Sequence, residues 1–270
     1  MNMNNLTFLI NFLIFAIKHP KIGQQILQAK SQSKEDSKIL PFNYSEKKSS
    51  LDQLVKALFP AYSYSIENLM NETNNLQNHA HDFFNKLKLE TYPSKKKPYP
   101  LEYTLDNQSG LFLYILCKII KPKIVVETGV AYGLSSMYIL QALFENKQGK
   151  LYSIDSVFSP WQSKEMIGSA IPTHLRENWE LIFGPSSEKL KTTLNSLGSL
   201  DMFFHDSLHT SKNMQFEFET VWPLLNKNGF LVSDDISGNN AFHNFYSKMN
   251  LEYFILPQNE KSFLGIIKKL

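Results

Sequence analysis

Five acidic residues and one histidine stand where apolar runs of this chain give way to turns. Glu127 closes the β-branched run Ile124 to Glu127, and Asp155 closes the short run Leu151 to Asp155. Asp206 follows the apolar stretch Asp201 to His205, Asp234 and Asp235 follow Gly229 to Ser233, and His209 lies three residues beyond Asp206. A carboxylate at a strand tip repels a pyrophosphate and attracts a cationic ligand. Carboxylates brought together repel one another and raise a pKa unless a hard cation sits among them. A histidine beside them, titrating near neutrality, suits general-base chemistry on a hydroxyl.

The turn after Glu127 narrows the ligand class. Gly129 and Gly133 bracket it, and Leu134 to Phe144 then has helical apolar spacing with Ser135 and Ser136 in its first turn. Gly-x-x-x-Gly is not the dinucleotide fingerprint, which together with Glu127 disfavours an NAD-dependent reductase. S-adenosylmethionine (SAM) carries a sulfonium, an ammonium and a carboxylate, and the last suits the first amides of the helix that Gly133 opens. Asp155 stands where a second-strand acid grips ribose hydroxyls in doubly wound folds. The structural alternatives are a glycine turn required by sterics alone and a solvated acid at a strand end.

The elements that must position these residues alternate along the chain. Helices are expected near Ser163 to Leu175, Ser187 to Leu197, Ser211 to Leu225 and Ala241 to Met249, with strands at Trp179 to Phe183, Asp201 to His205 and Gly229 to Ser233 between them. Leu251 to Leu256 and Phe263 to Lys268 are separated only by Pro257 to Ser262, too short for a crossover helix, so this last pair should be antiparallel. The fold class expected is α/β, a Rossmann-like doubly wound sheet of seven strands with the last strand antiparallel, plus a helical N-terminal extension.

From about Leu101 to Leu270 the chain resembles the class I SAM-dependent methyltransferases, and within them the small-molecule O-methyltransferases of catechol type and those that methylate sugars on macrolides and other glycosides. Three segments carry the resemblance: ETGVAYGLSS from Glu127, DMFFHDSLH from Asp201 with LVSDD from Leu231, and FGPSSEKL from Phe183. It implies that Glu127, Gly129, Gly133 and Ser135 hold the methionine part of SAM, Asp155 the ribose, and Gly184, Ser186 and Ser187 the adenine side. It also implies Mg²⁺ among Asp206, Asp234 and Asp235, although Asp235 stands where the catechol-type pattern has asparagine. His209 occupies the place of that pattern's catalytic lysine. The activity implied is methyl transfer to a hydroxyl of a small molecule or glycosyl group, with His209 and Asp206 as catalytic residues. A metal-independent methyltransferase and a SAM-binding protein without catalysis are the alternatives. The helix following Asp106 to Gly110 is expected, by the same resemblance, to start close to SAM.

The remaining sequence bounds the setting. With 270 residues, 43% of them hydrophobic, there is room for one large domain and an extension. Lys95 to Pro100, cationic and proline-punctuated, marks the division into residues 1–100 and 101–270. The net charge of +3 could suggest nucleic acid, but Arg176 is the only arginine and no basic stripe with interleaved aromatics is present. Cys117, the only cysteine, cannot form an internal disulfide, which suits a buried thiol in the reducing cytoplasm. Leu69, Leu76, Phe83, Phe84 and Leu87 fall at helical spacing and should pack on the sheet domain or on a second subunit. Leu6 to Ile17 is apolar almost all round, too short to span a bilayer, and no small-residue cleavage site follows it. Burial against the domain or a partner is expected for it, with monotopic membrane contact as the alternative suggested by the flanking lysines.

Overall fold

A computed structural model describes residues 3–62, 65–101 and 105–270, with side chains from residue 10 onward. Seven strands form one sheet: β1 (Ile124–Thr128), β2 (Lys150–Asp155), β3 (Trp179–Phe183), β4 (Leu200–His205), β5 (Leu225–Ser233), β6 (Tyr253–Pro257) and β7 (Phe263–Lys268). Their order is β3-β2-β1-β4-β5-β7-β6. The first five run parallel, and β7 lies antiparallel to both β5 and β6, as the short connection before it requires.

The sheet is buried on both faces, and strand alternation sorts its side chains into two cores. Val125, Met202, Phe204, Phe230, Val232 and Ile266 face one core, and Val126, Ile154, Phe203, Leu231 and Ile267 face the other. The first is covered by α3 (Leu51–Leu58), α4 (Ile66–Glu72), α5 (Asn74–Lys88), α6 (Asn107–Ile120) and α7 (Leu134–Asn146). The second is covered by α8 (Ser186–Leu197), α9 (Ser211–Val221) and α10 (Ala241–Lys248). Residues of the N-terminal extension therefore belong to the main core: Leu54, Val55, Leu58, Leu69, Leu76 and Ala80 pack into it with Phe112 and Phe230. A capping box starts α3, with the Gln53 amide N–H donating to Ser50 Oγ while the Ser50 N–H donates to the Gln53 side chain. Cys117 is a fully buried thiol on α6, as expected.

Two expected helices are corrected. Ser163 to Leu175 is not one helix. It holds two 3₁₀ turns, Lys164–Met166 and Thr173–Asn178. Gly168, at φ +70°, and Pro172 interrupt the run between them. The helix from Ser211 likewise stops at Val221 and continues only as a 3₁₀ turn over Trp222–Leu224, where Pro223 cannot donate to the helical ladder.

The N-terminal apolar segment, whose residues before Ile10 lie outside the described side chains, is only partly covered by the domain. It forms α1 (Met3–Lys18), which pairs with α2 (Pro20–Asp36). α1 is not buried all round. Ile10, Leu13, Ile14 and Ile17 remain 46%, 51%, 45% and 78% exposed. Its other side is the covered one: Phe12 lies against Trp161 and under Lys30, and Ala16 abuts Gly23. One narrow, mostly polar partner helix cannot cover a helix that is apolar on every face. Among the described residues no helix is long and apolar enough to cross a membrane.

Candidate active site

Strand order reverses at β1, which has β2 on one side and β4 on the other, so the crevice opens at the carboxyl ends of these strands. β1 is followed by Gly129 at φ +81°, where a Cβ would lie 1.9 Å from the Asp206 carbonyl oxygen. Only glycine lets the first turn approach the β4–α9 loop this closely. Asp206 N–H donates to the Thr128 carbonyl at 2.8 Å, fixing that approach. Asp155, at the tip of β2, accepts from the amides of Val130 (3.0 Å), Ala131 (2.9 Å) and Ser156 (2.6 Å). Burial still holds its carboxyl above the ordinary range, against the pull of these amides.

A cavity of about 1400 Å³ lies over these tips. Its wall includes Gly129, Val130, Ala131, Asp155, Gly184, Ser186 and Ser187 on one side, and Asp206, His209, Asp234 and Asp235 on the other. Asp106, which caps α6 by accepting from the Gln108 and Ser109 amides, also lines it, so that helix starts at the cavity as expected. The volume exceeds the roughly 300–1,000 Å³ of a typical single-ligand pocket, leaving room for two reactants side by side.

Glu127, Gly133 and Ser135 are not on that wall. Glu127 is fully buried behind it and accepts from the hydroxyls of Ser135 (2.5 Å), Ser136 (2.6 Å) and Ser153 (2.7 Å). It thereby ties β1 to the start of α7 and to β2. Burial pushes its carboxyl up to about 7 although all three hydroxyls favour the charged form. Gly133, at φ +91°, opens α7 under Ile171 and Gly168.

At the opposite wall, Asp206, His209 and Asp234 each turn one ligating atom toward a common point, all within 4.8 Å of one another. His209 Nε2 lies 3.7 Å from Asp206 Oδ1 and 3.8 Å from Asp234 Oδ2, and it is buried without a hydrogen-bond partner. Burial raises Asp206 well above its ordinary value, and the Asp234 charge raises it further. Asp234 is pushed up to about 6 by burial, relieved by the Gln258 amide that donates to it at 2.6 Å. Burial and the neighbouring His205 press His209 down to about 3, so its ring is neutral at neutral pH. An orphaned imidazole nitrogen between two carboxylates that resist ionisation fits a divalent cation. Asp235 lines the cavity but stands outside this group, accepting from Ser262 Oγ at 3.0 Å.

Two parts of the site have no local sequence signal. The first is Glu217 on α9, fully buried, which accepts from Thr128 Oγ1 (2.6 Å), His205 Nδ1 (2.7 Å), Ser207 Oγ (2.7 Å) and Asn213 Nδ2 (3.1 Å). It fastens the tips of β1 and β4 and the loop after Asp206 to one helix. The second is α2, which lies over the cavity: Gln25 donates to Glu188 at 3.1 Å, Gln32 accepts from Thr210 at 2.7 Å, and Asp36 accepts from the Ser211 amide at 2.8 Å. Gln25, Gln28 and Gln32 line the wall on that side. Phe242, Phe245 and Tyr246 of α10 pack in the second core and do not line the cavity.

Residues 126–236 match a family model described as a methyltransferase domain. That span begins inside β1, ends just past β5, and contains the tips of β1 to β5 that line the cavity. Over that span the chain is similar to methyltransferase domains. Solved structures with the same fold include an O-methyltransferase from Bacillus cereus in complex with SAH, 16% identical, with a TM-score of 0.54 over 83% of this chain and 99% of that one. A putative O-methyltransferase from Klebsiella pneumoniae is 15% identical, with a TM-score of 0.51 over 83% and 98%. The O-methyltransferase TomG from Streptomyces achromogenes, involved in tomaymycin synthesis and in complex with SAM, is 14% identical, with a TM-score of 0.50 over 85% and 100%. At these identities the likeness is one of fold, and at 83–85% of this chain it extends beyond residues 126–236 into the N-terminal helices. No curated protein is significantly similar to the chain.

Proposed function

We propose that this protein is a SAM-dependent O-methyltransferase acting on a hydroxyl of a small molecule or glycosyl group. One observation carries the reading: a single cavity has the glycine turn and Asp155 on one wall, and His209 with two acids on the facing wall. The SAH and SAM held by structural relatives support the cofactor. When bound, SAM supplies an electrophilic methyl on its sulfonium.

The chain's own residues supply the rest. Asp155 would hold the cofactor's ribose hydroxyls, Gly129 keeps the first turn close to the acceptor side, and Gly184, Ser186 and Ser187, on the same wall as Asp155, would border the adenine. Asp206, Asp234 and His209 are the residues that would hold a divalent cation, which would lower the pKa of a bound hydroxyl. Two carboxylates with one imidazole suit Mn²⁺ as well as Mg²⁺. Where no cation is held, Asp234, whose carboxyl is pushed up to about 6, is better matched to take the hydroxyl proton than His209. The His209 ring does not titrate near neutrality as the sequence suggests but is pressed down to about 3, and it instead offers a neutral hydrogen-bond acceptor. Gln25, Gln28 and Gln32 give the acceptor half amide donors and acceptors suited to a polyhydroxylated molecule.

Transfer of labelled methyl from SAM to a panel of catechols and glycosides, with Mg²⁺, with Mn²⁺ and with EDTA, tests the reading. Product that requires a divalent cation is expected. Product insensitive to EDTA would assign the metal-independent mechanism, and SAM binding without product on any acceptor would leave a binding protein.

A further inference from the structure

Among the described residues the outer face of α1 has no partner in the fold. Ile10, Leu13, Ile14 and Ile17 follow the i, i+3, i+4, i+7 spacing of one helical stripe, and all four are exposed. Lys18 and Lys21, both exposed, follow at the end of the stripe, and Lys34 and Lys38 add charge on the companion helix and just past it. Among the described residues none of these four lysines is in an ion pair. We propose that α1 is a membrane-docking helix that lies in the headgroup region of an anionic lipid surface.

Two arguments choose this occupant. The stripe presents on the order of 400 Å² of apolar surface, about half of the ~800 Å² per partner that a stable dimer buries. The unpaired Lys18 and Lys21 at its end match anionic headgroups, whereas like charges there count against pairing with a second copy. The helix is too short to span, so it would lie along the interface. Because α2, on which α1 packs, forms part of the cavity wall, this docking would bring the cavity mouth to the lipid surface. The proposal does not depend on the methyl-transfer reading and is measured without an acceptor.

Co-sedimentation of the full chain with vesicles of phosphatidylcholine, alone or mixed with phosphatidylglycerol, is the test. The protein should pellet with the anionic vesicles only, and added salt should weaken the binding as the lysines are screened. The double variant Leu13→Gln/Ile17→Gln changes exposed positions, should melt like the wild type, and should partition roughly tenfold more weakly. Wild-type protein left in the supernatant with both vesicles would overturn the proposal, as would a variant that pellets equally. So would light scattering that shows a dimer lost in the variant, since the stripe would then belong to a second copy.

Discussion

At the scale of single residues, Glu217 shows how the site is held. Burial alone would raise its carboxyl, but the His205 ring and the hydroxyl donors outweigh that and hold it at about 2, below the ordinary 4.5. A folded-state pKa below the unfolded one contributes stability that is fully present above pH 4.5 and is lost as the pH falls toward about 2. Glu217→Gln should lower the urea midpoint at pH 7 and flatten the acid-side loss of stability relative to wild type. Parallel urea melts from pH 7 downward check this, and an equally steep decline in the variant would remove the network from the account. His209 belongs to the chemistry instead. His209→Ala should keep SAM affinity and lose roughly 10²-fold in turnover. An equal loss of SAM affinity would make it a structural residue.

Among the elements, the strands with acidic tips were the most legible. Runs such as IVVET, LYSID and DMFFH are apolar because both sheet faces are covered, and each ends where the crevice begins. In Ser163 to Leu175 the apolar spacing is helical, while Gly168 and Pro172 forbid a continuous helix. Glu127 was legible as a strand-tip acid but not as a buried one, since Ser153, which helps enclose it, is 26 residues away. α1 was expected to be covered because sequence shows that a helix is apolar and not how much surface its neighbours offer. α3 makes a quantitative point about the extension. Leu54 is fully buried in the same core as Phe230, so Leu54→Ala should cost about 2–5 kcal/mol and lower the single melting transition. A main transition left in place, with only a minor early one shifted, would show that the extension folds apart from the sheet.

For the molecule as a whole, function follows from where the sheet changes direction. Strand order places the tips of β1, β2, β4 and β5 around one crevice, and α2 roofs it with glutamines that no local motif announces. The doubly wound sheet and the acidic tips could be read from the sequence because they recur in local patterns. The roof, the Glu217 network and the grouping of His209 with Asp206 and Asp234 depend on contacts between distant segments. The central claim is that this crevice takes SAM, and calorimetric titration of the full chain with SAM, with NADH as the control ligand, tests it most directly. Micromolar binding of SAM with no response to NADH is the predicted result. No heat with SAM, or equal binding of NADH, would contradict it.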